Sequence, residues 1–170
     1  RMTGIPYKPS ENPIPGPAGG RIGPVHYVEE TGSTNADLAA IADTAGDGTV
    51  LVTGHQTAGR GRLDRRWEAP PNANLLMSVL LRPTGGSDRL SLVTSTLAVA
   101  VVDVLVDLIG GQVPSARIKW PNDILLFDGD QLGKVAGILA ELVDGDPPAV
   151  VVGMGLNVEW PGPDDEGPPD

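Results

Sequence analysis

Residues 25–160 predict an α+β domain, a mixed and largely antiparallel central sheet with helices packed on one side. Three observations carry that expectation. The second half is a succession of apolar strands separated by Asp128-Gly129 and Asp144-Gly145, dipeptides that favour hairpin turns. The first half holds one long stretch, Leu90 to Leu108, with apolar residues at helical spacing. The later strands also follow one another too closely for the intervening helices that a parallel, doubly wound sheet requires.

In chain order, residues 1–24 contain Pro6, Pro9, Pro13, Pro15, Pro17 and Pro24 with several glycines. That composition sustains neither helix nor central strand, so a flexible or extended lead-in is expected. His26–Glu29 reads as a short strand. Ser33 or Thr34 is placed to cap a helix running to about Ala45, because a hydroxyl oxygen satisfies the free amides of a helix start. Thr49–Gly54 and Asn74–Arg82 read as strands. Ser87-Asp88 caps the long helix, whose apolar series is Leu90, Val93, Leu97, Val101, Val104 and Leu108, and Gly110-Gly111 stops it. Arg117–Trp120, Asp123–Phe127, Lys134–Val143 and Ala149–Val158 supply the strands of the second half. Residues 161–170 are all Pro, Gly, Asp or Glu and are expected to form a disordered acidic tail. There is no internal repeat.

A length of 170 residues suits one domain with a real core. The net charge of -10 argues against general nucleic-acid binding, which needs a basic face. With no cysteine, the chain has no disulfide, thiolate zinc site or cysteine nucleophile. His26 and His55 are its only histidines, too few for a histidine-rich metal site. The best candidate for a membrane span, Leu97–Ile109, is interrupted by Asp103 and Asp107. No signal-peptide pattern opens the chain, so a cytoplasmic location without membrane contact is expected. Arg1 followed by Met2 suggests a fragment or a processed chain.

Against this acidic background, four of the twelve basic residues crowd into Gly59-Arg-Gly-Arg-Leu-Asp-Arg-Arg-Trp67. Glycine lets a backbone approach a ligand closely, arginine offers forked donors to phosphate or carboxylate, and tryptophan offers a flat face. The run reads as a loop that closes over a nucleotide or an acyl phosphate. Four further segments carry polar or glycine-rich residues: Gly32-Ser-Thr-Asn35, Lys119-Trp-Pro-Asn-Asp123, Gly133-Lys-Val-Ala-Gly137 and Gly153-Met-Gly-Leu-Asn157. Each also has a plain structural explanation. The first fits a helix cap, the second a turn, Lys134 a solvated hairpin end, and Gly153 and Gly155 a bulge.

Taken together and in this order, the segments resemble the biotin protein ligase family over about residues 27–158. That resemblance implies a biotin/lipoate ligase-like fold related to class II aminoacyl-tRNA synthetase catalytic domains. It also implies a two-step reaction with ATP and Mg²⁺. Biotin is activated to biotinyl-5′-adenylate, then transferred to a lysine of a carboxyl-carrier domain. By the same resemblance, Ser33, Thr34 and Gln56 meet the biotin ureido ring, Asn35 supports them, and Gly59 and Gly137 allow close backbone approach to biotin. Arg60, Arg62 and Lys134 hold the carboxylate and α-phosphate and are the catalytic candidates. Trp67 is expected to stack on adenine, an interaction of roughly 1–3 kcal/mol. Asn122 and Asn157 flank ATP, and Asp123 with Asn122 offers hard oxygens to Mg²⁺.

Departures from the family pattern carry expectations of their own. Asp64 stands where many members have glycine, so the loop bends differently or its carboxylate pairs with Arg62 or Arg65. No helix-turn-helix precedes the motifs, which implies the non-regulatory type. The chain stops just past Asn157, where members continue into a small C-terminal barrel, so a truncated catalytic domain is expected. Two other readings compete: a lipoate or octanoate ligase using the same adenylate chemistry, and a module that retains biotin without turnover. A P-loop NTPase is disfavoured by the lack of its phosphate-binding run.

Overall fold

A computed structural model describes residues 13–84, 92–109, 116–128 and 131–159. Its elements are β1 (Val25–Thr31), α1 (Thr34–Ala40), β2 (Val50–Gln56), β3 (Asn74–Leu81), α2 (Leu92–Leu108), β4 (Ala116–Lys119), β5 (Asp123–Asp128), β6 (Gln131–Val143) and β7 (Ala149–Asn157). The strands form one sheet in the order β1-β2-β3-β7-β6-β5-β4. β1 and β2 run parallel and every other pair is antiparallel, the mixed sheet that the two hairpin signals predict. The proposed Ser87-Asp88 cap, the Gly110-Gly111 stop, Gly129 and the acidic tail lie outside the described residues.

Alternation along the strands assigns their faces, because neighbouring residues point to opposite sides. Val50, Val79, Val150, Val152, Met154 and Ile138 share one face with Val93, Ala98 and Val101 of α2. Leu51, Leu80, Ala149 and Val151 point the other way and pack on Leu38 and Ala42. The two helices therefore lie on opposite faces, not on one side as expected. The physical reason is legible in β7: Ala149 to Val152 is apolar at every position, so both of its faces need cover.

Each helix also differs in detail from its expected form. α1 ends at Ala40, and residues 41–45 continue as turns in which Thr44 and Ala45 both donate backbone hydrogen bonds to the Ile41 carbonyl. Asp43 and Thr44 are weak helix formers. On α2, Val93, Leu97 and Val101 face the sheet as the spacing predicts, but Val104 and Leu108 are exposed. Ala98, Val102 and Leu105 complete the buried stripe instead. A helix this rich in apolar residues offers more than one possible stripe, and small Ala98, almost fully buried, lies within the one the sheet takes.

Residues 13–24 are irregular, with a turn closed by the Gly20 N–H to the Pro17 carbonyl, and are tied to the domain. Ile14 and Val25 exchange backbone hydrogen bonds, and Gly23 donates to the Gly48 carbonyl. The Arg21 guanidinium grips Asp47 through Nε at 2.6 Å and also donates to the Arg82 carbonyl at 2.7 Å. Arg82 returns its backbone N–H to Asp47 at 2.7 Å and donates side-chain bonds to the carbonyls of Ala42 and Pro147. Partial burial alone raises the Asp47 pKa. The Arg21 hydrogen bond, the Arg82 amide and the charges of both arginines outweigh it and hold the carboxyl below its ordinary value.

A carboxylate whose folded pKa is depressed stabilises the protein above its unfolded pKa, and that contribution is lost as pH falls through the folded value. Asp47→Asn is therefore expected to lower the urea midpoint at neutral pH, with the gap from wild type closing in acid below about pH 4. A gap of equal size at both pH values would show that the charge of Asp47 is not what holds this corner.

Candidate active site

β7 reads Ala-Val-Val-Val-Gly-Met-Gly-Leu-Asn, so its α2 face carries Val150, Val152, Met154 and Leu156 while its opposite face becomes Gly153 and Gly155. Those two glycines make room for a site. A methyl group on Gly153 would lie 2.2 Å from Asn35 Oδ1, and one on Gly155 would lie 2.2 Å from Cε2 of Trp67. The polar start of α1 and the indole at the end of the arginine-rich loop thus both rest directly on the β7 backbone.

At the α1 end, hydroxyls and amides form a buried chain. Gln56 Oε1 accepts from the Thr34 backbone N–H at 2.8 Å and from the Thr34 hydroxyl at 3.1 Å. That hydroxyl meets Ser78 Oγ at 2.7 Å, and Ser78 donates to Asn35 Oδ1 at 2.6 Å. Asn35 Nδ2 then donates to Glu141 Oε2 at 2.7 Å and to the Leu139 carbonyl at 3.2 Å. Ser33 occupies the cap position, but its hydroxyl makes no capping bond. It is buried at the head of this chain, so capping does not account for it.

Residues 59–67 form a small hairpin, the flap. Gly61 donates to the Arg65 carbonyl at 2.7 Å and Trp67 to the Gly59 carbonyl at 3.0 Å. Its tip is a two-residue turn with Leu63 at φ 57 and Asp64 at φ 60. Positive φ at both central positions is the pattern that favours Asn-Gly, and glycine would adopt it without strain. Among the described residues Asp64 makes no ion pair, so it pairs with neither Arg62 nor Arg65; its left-handed backbone is the conformation that glycine takes most easily.

Arg60 and Arg62 of the flap and Lys134 of β6 are each set against an acceptor. Arg60 pairs with Glu141 of β6, its NH2 lying 3.1 Å from Oε1 and 3.2 Å from Oε2. Arg62 donates to Asn122 Oδ1 at 3.1 Å, in the turn between β4 and β5. Lys134 Nζ lies 3.0 Å from Asp123 Oδ1 and 5.4 Å from the Trp67 ring centroid. The contact with Asp123 is an ion pair rather than a well-angled hydrogen bond, and Oδ1 is otherwise without a hydrogen-bond donor. Strict alternation would put Lys134 and Gly137 on opposite faces. A bulge between β5 and β6 pairs Lys134 with Leu125 and Ala136 with Ile124, leaving Val135 as the extra residue and turning Lys134 to the side of Gly137.

The flap roofs an open cavity of about 490 Å³, lined by its own residues 58–66 with Leu139 and Glu141. A second, of about 330 Å³, lies between Arg62, Trp120, Asn122 and the α2 hydroxyls Thr94 and Ser95. Arg62 borders both and Lys134 neither. The two cations are linked instead through the adjacent residues Asn122 and Asp123. Asn157 spends its amide on the protein, donating to the Lys134 carbonyl and accepting from Asn74, each at 3.2 Å. Asn122 Oδ1 faces Arg62 and Asp123 Oδ1 faces Lys134, so a Mg²⁺ held by these two oxygens would displace both cations. No cluster of three metal-ligating residues exists among the described residues. Ser78 and Glu141 are the members that motif reading misses. Both stand out as polar residues whose immediate strand neighbours are apolar.

The model of the Biotin/lipoate A/B protein ligase family matches residues 27–157, a span that runs from within β1 to the end of β7. The chain belongs to this family. A biotin--[acetyl-CoA-carboxylase] ligase of Mycobacterium tuberculosis is 44% identical over 137 residues, covering 77% of this chain and 48% of the relative. The ligase of that name from Paracoccus denitrificans is 36% identical, covering 82% and 56%. Among solved structures, a biotin protein ligase from Aquifex aeolicus in complex with biotin and ATP matches with a TM-score of 0.63 and 33% identity, over 81% of this chain and 53% of that one. The chain spans about half the length of the curated relatives it matches.

The β7 glycines are testable without any ligand. Gly155→Ala should push Trp67 off the strand and destabilise the protein by about 1–3 kcal/mol, the usual cost of overpacking. Chemical denaturation checks it; an unchanged midpoint would mean that the indole does not rest on β7 in solution.

Proposed function

We propose that this chain performs the chemistry of a biotin–protein ligase, activating biotin with ATP and passing it to a lysine of a biotin carboxyl-carrier domain. The observation that carries the reading is the adjacency of two unlike surfaces on one sheet face. A mostly buried, uncharged chain of Thr34, Gln56, Ser78 and Asn35 runs into three cations, Arg60, Arg62 and Lys134. An uncharged ureido head with donors and acceptors suits the first, and a carboxylate meeting a polyphosphate suits the second. The named relatives are biotin ligases, which supports biotin over lipoate.

In the first step a biotin carboxylate oxygen bonds to the α-phosphorus of ATP, and the bond to the bridging oxygen breaks, releasing pyrophosphate. Two anions must approach, so aimed positive charge lowers the barrier more than any protein nucleophile could. Arg60 and Arg62 serve the carboxylate and phosphate with planar forks. Lys134 follows the migrating charge as a compact ammonium. In the second step the carrier lysine's amine attacks the acyl carbon, the bond to AMP breaks, and a proton leaves the nitrogen. Ser33, Thr34 and Gln56 orient the ring end throughout, Gly59 and Gly137 leave room beside biotin, and Trp67, Asn122 and Asn157 border the nucleotide. Asn122 and Asp123 would offer oxygens to a Mg²⁺ bound with ATP, which would offset phosphate charge. The reaction belongs in the cytoplasm.

Biotin-dependent ATP–pyrophosphate exchange, measured with the full-length protein, is the direct test. Exchange driven by lipoate or octanoate but not biotin would overturn the substrate assignment. Arg62→Ala and Lys134→Ala should each cut the exchange rate on the order of 100- to 1,000-fold with the fold retained. Near-normal rates in both would remove them from the chemistry.

A further inference from the structure

We infer that Glu141 is a positioning residue that latches the flap, holding Arg60 folded onto the sheet and joining it to the buried chain at the start of α1. Oε2 of this one carboxylate takes Asn35 Nδ2 at 2.7 Å and Arg60 NH2 at 3.2 Å, while Oε1 lies 3.1 Å from the same guanidinium nitrogen. Asn35 and Arg60 are 25 positions apart in sequence and sit on unrelated elements. The base of the flap is tied to the start of α1 separately, through Gln56 and the Ala58 N–H to the Gly32 carbonyl, but Glu141 is what holds the arginine side of the hairpin.

The placement of Glu141 is deliberate in physical terms. It lies on β6 between Ala140 and Leu142, in a segment where its neighbours are apolar, and it points to the same face as Gly153 and Asn35. An unpaired carboxylate beside a neutral ligand pocket would repel an incoming acid. Paired with Arg60 its charge is offset, and the guanidinium keeps further N–H groups that Glu141 does not use. Glu141 touches no reacting atom under the proposed chemistry. It acts through Arg60, presenting that side chain over the cavity, and through Asn35, fixing the end of the uncharged chain. The inference rests on the proposed ligase reading only for its kinetic consequence; the latch itself concerns the ligand-free protein.

The flap reports on its own state, because trypsin cuts after arginine and the hairpin carries Arg62, Arg65 and Arg66. Glu141→Gln keeps an oxygen for Asn35 and removes the charge opposite Arg60. Limited trypsinolysis of the ligand-free protein should cut the variant's flap about threefold to fivefold faster than wild type, the scale of one partly exposed ion pair, with an unchanged melting temperature. In exchange assays KM for biotin should rise by a similar factor while kcat changes little. Arg60→Gln leaves Asn35 on Glu141 and should expose the remaining flap arginines to the same degree, with the double variant cut no faster than either single one. Equal cleavage of wild type and both single variants, or additive effects in the double, overturns the latch. Loss of biotin-dependent exchange in wild type would strike the ligase reading and leave the cleavage result standing.

Discussion

The arrangement depends on β7 having no side chains on one face at Gly153 and Gly155. Its other face carries Val152, Met154 and Leu156 and binds the sheet to α2, so one strand is both core and floor. With the glycines in place, Asn35 and Trp67 settle directly on the backbone from opposite ends of the site. A side chain at either position would lift one of them, and with it the α1 polar chain or the flap. Close packing transmits such a displacement, since the interior has little slack to absorb it.

A second constraint is electrostatic. An acidic protein that gathers Arg60, Arg62 and Lys134 in one region must offset their mutual repulsion when no anion is bound. Glu141 and Asp123 do so with their charges, opposite Arg60 and Lys134, while Asn122 accepts a hydrogen bond from Arg62. Such pairs are half-exposed and individually weak, which suits groups that must change partners. A deeply buried pair would resist exchange, because breaking it strands a charge in low dielectric. The site is thus compensated at rest and able to trade its own acceptors for those of a ligand.

Much of this was legible in the chain. The seven strands, the two hairpins and the antiparallel second half follow from apolar runs and turn dipeptides, and the flap follows from glycine and arginine crowding. Three features were not. Helices on both faces follow from the doubly apolar start of β7, but a continuous apolar run does not say what covers each side. The buried stripe of α2 is undetermined where nearly every position is apolar, so Val104 and Leu108 were misplaced. The orientation of Lys134 is the most instructive. Counting by twos from Gly137 puts it on the wrong face, and only the bulge opposite Ile124 and Leu125 turns it toward Asp123.

Ser78 and Glu141 show what such counting can still recover. Each is a polar residue on a strand whose neighbours along the same run are apolar, and neither forms part of a glycine- or arginine-rich segment. A buried hydroxyl needs partners, and Ser78 finds them in Thr34 and Asn35. A half-buried carboxylate needs a cation, and Glu141 finds Arg60. Both partners lie within the segments that already look functional. Polar residues interrupting an apolar strand therefore point toward the site from beneath, and the demand for satisfied hydrogen bonds joins the floor, the helix start and the flap into one unit.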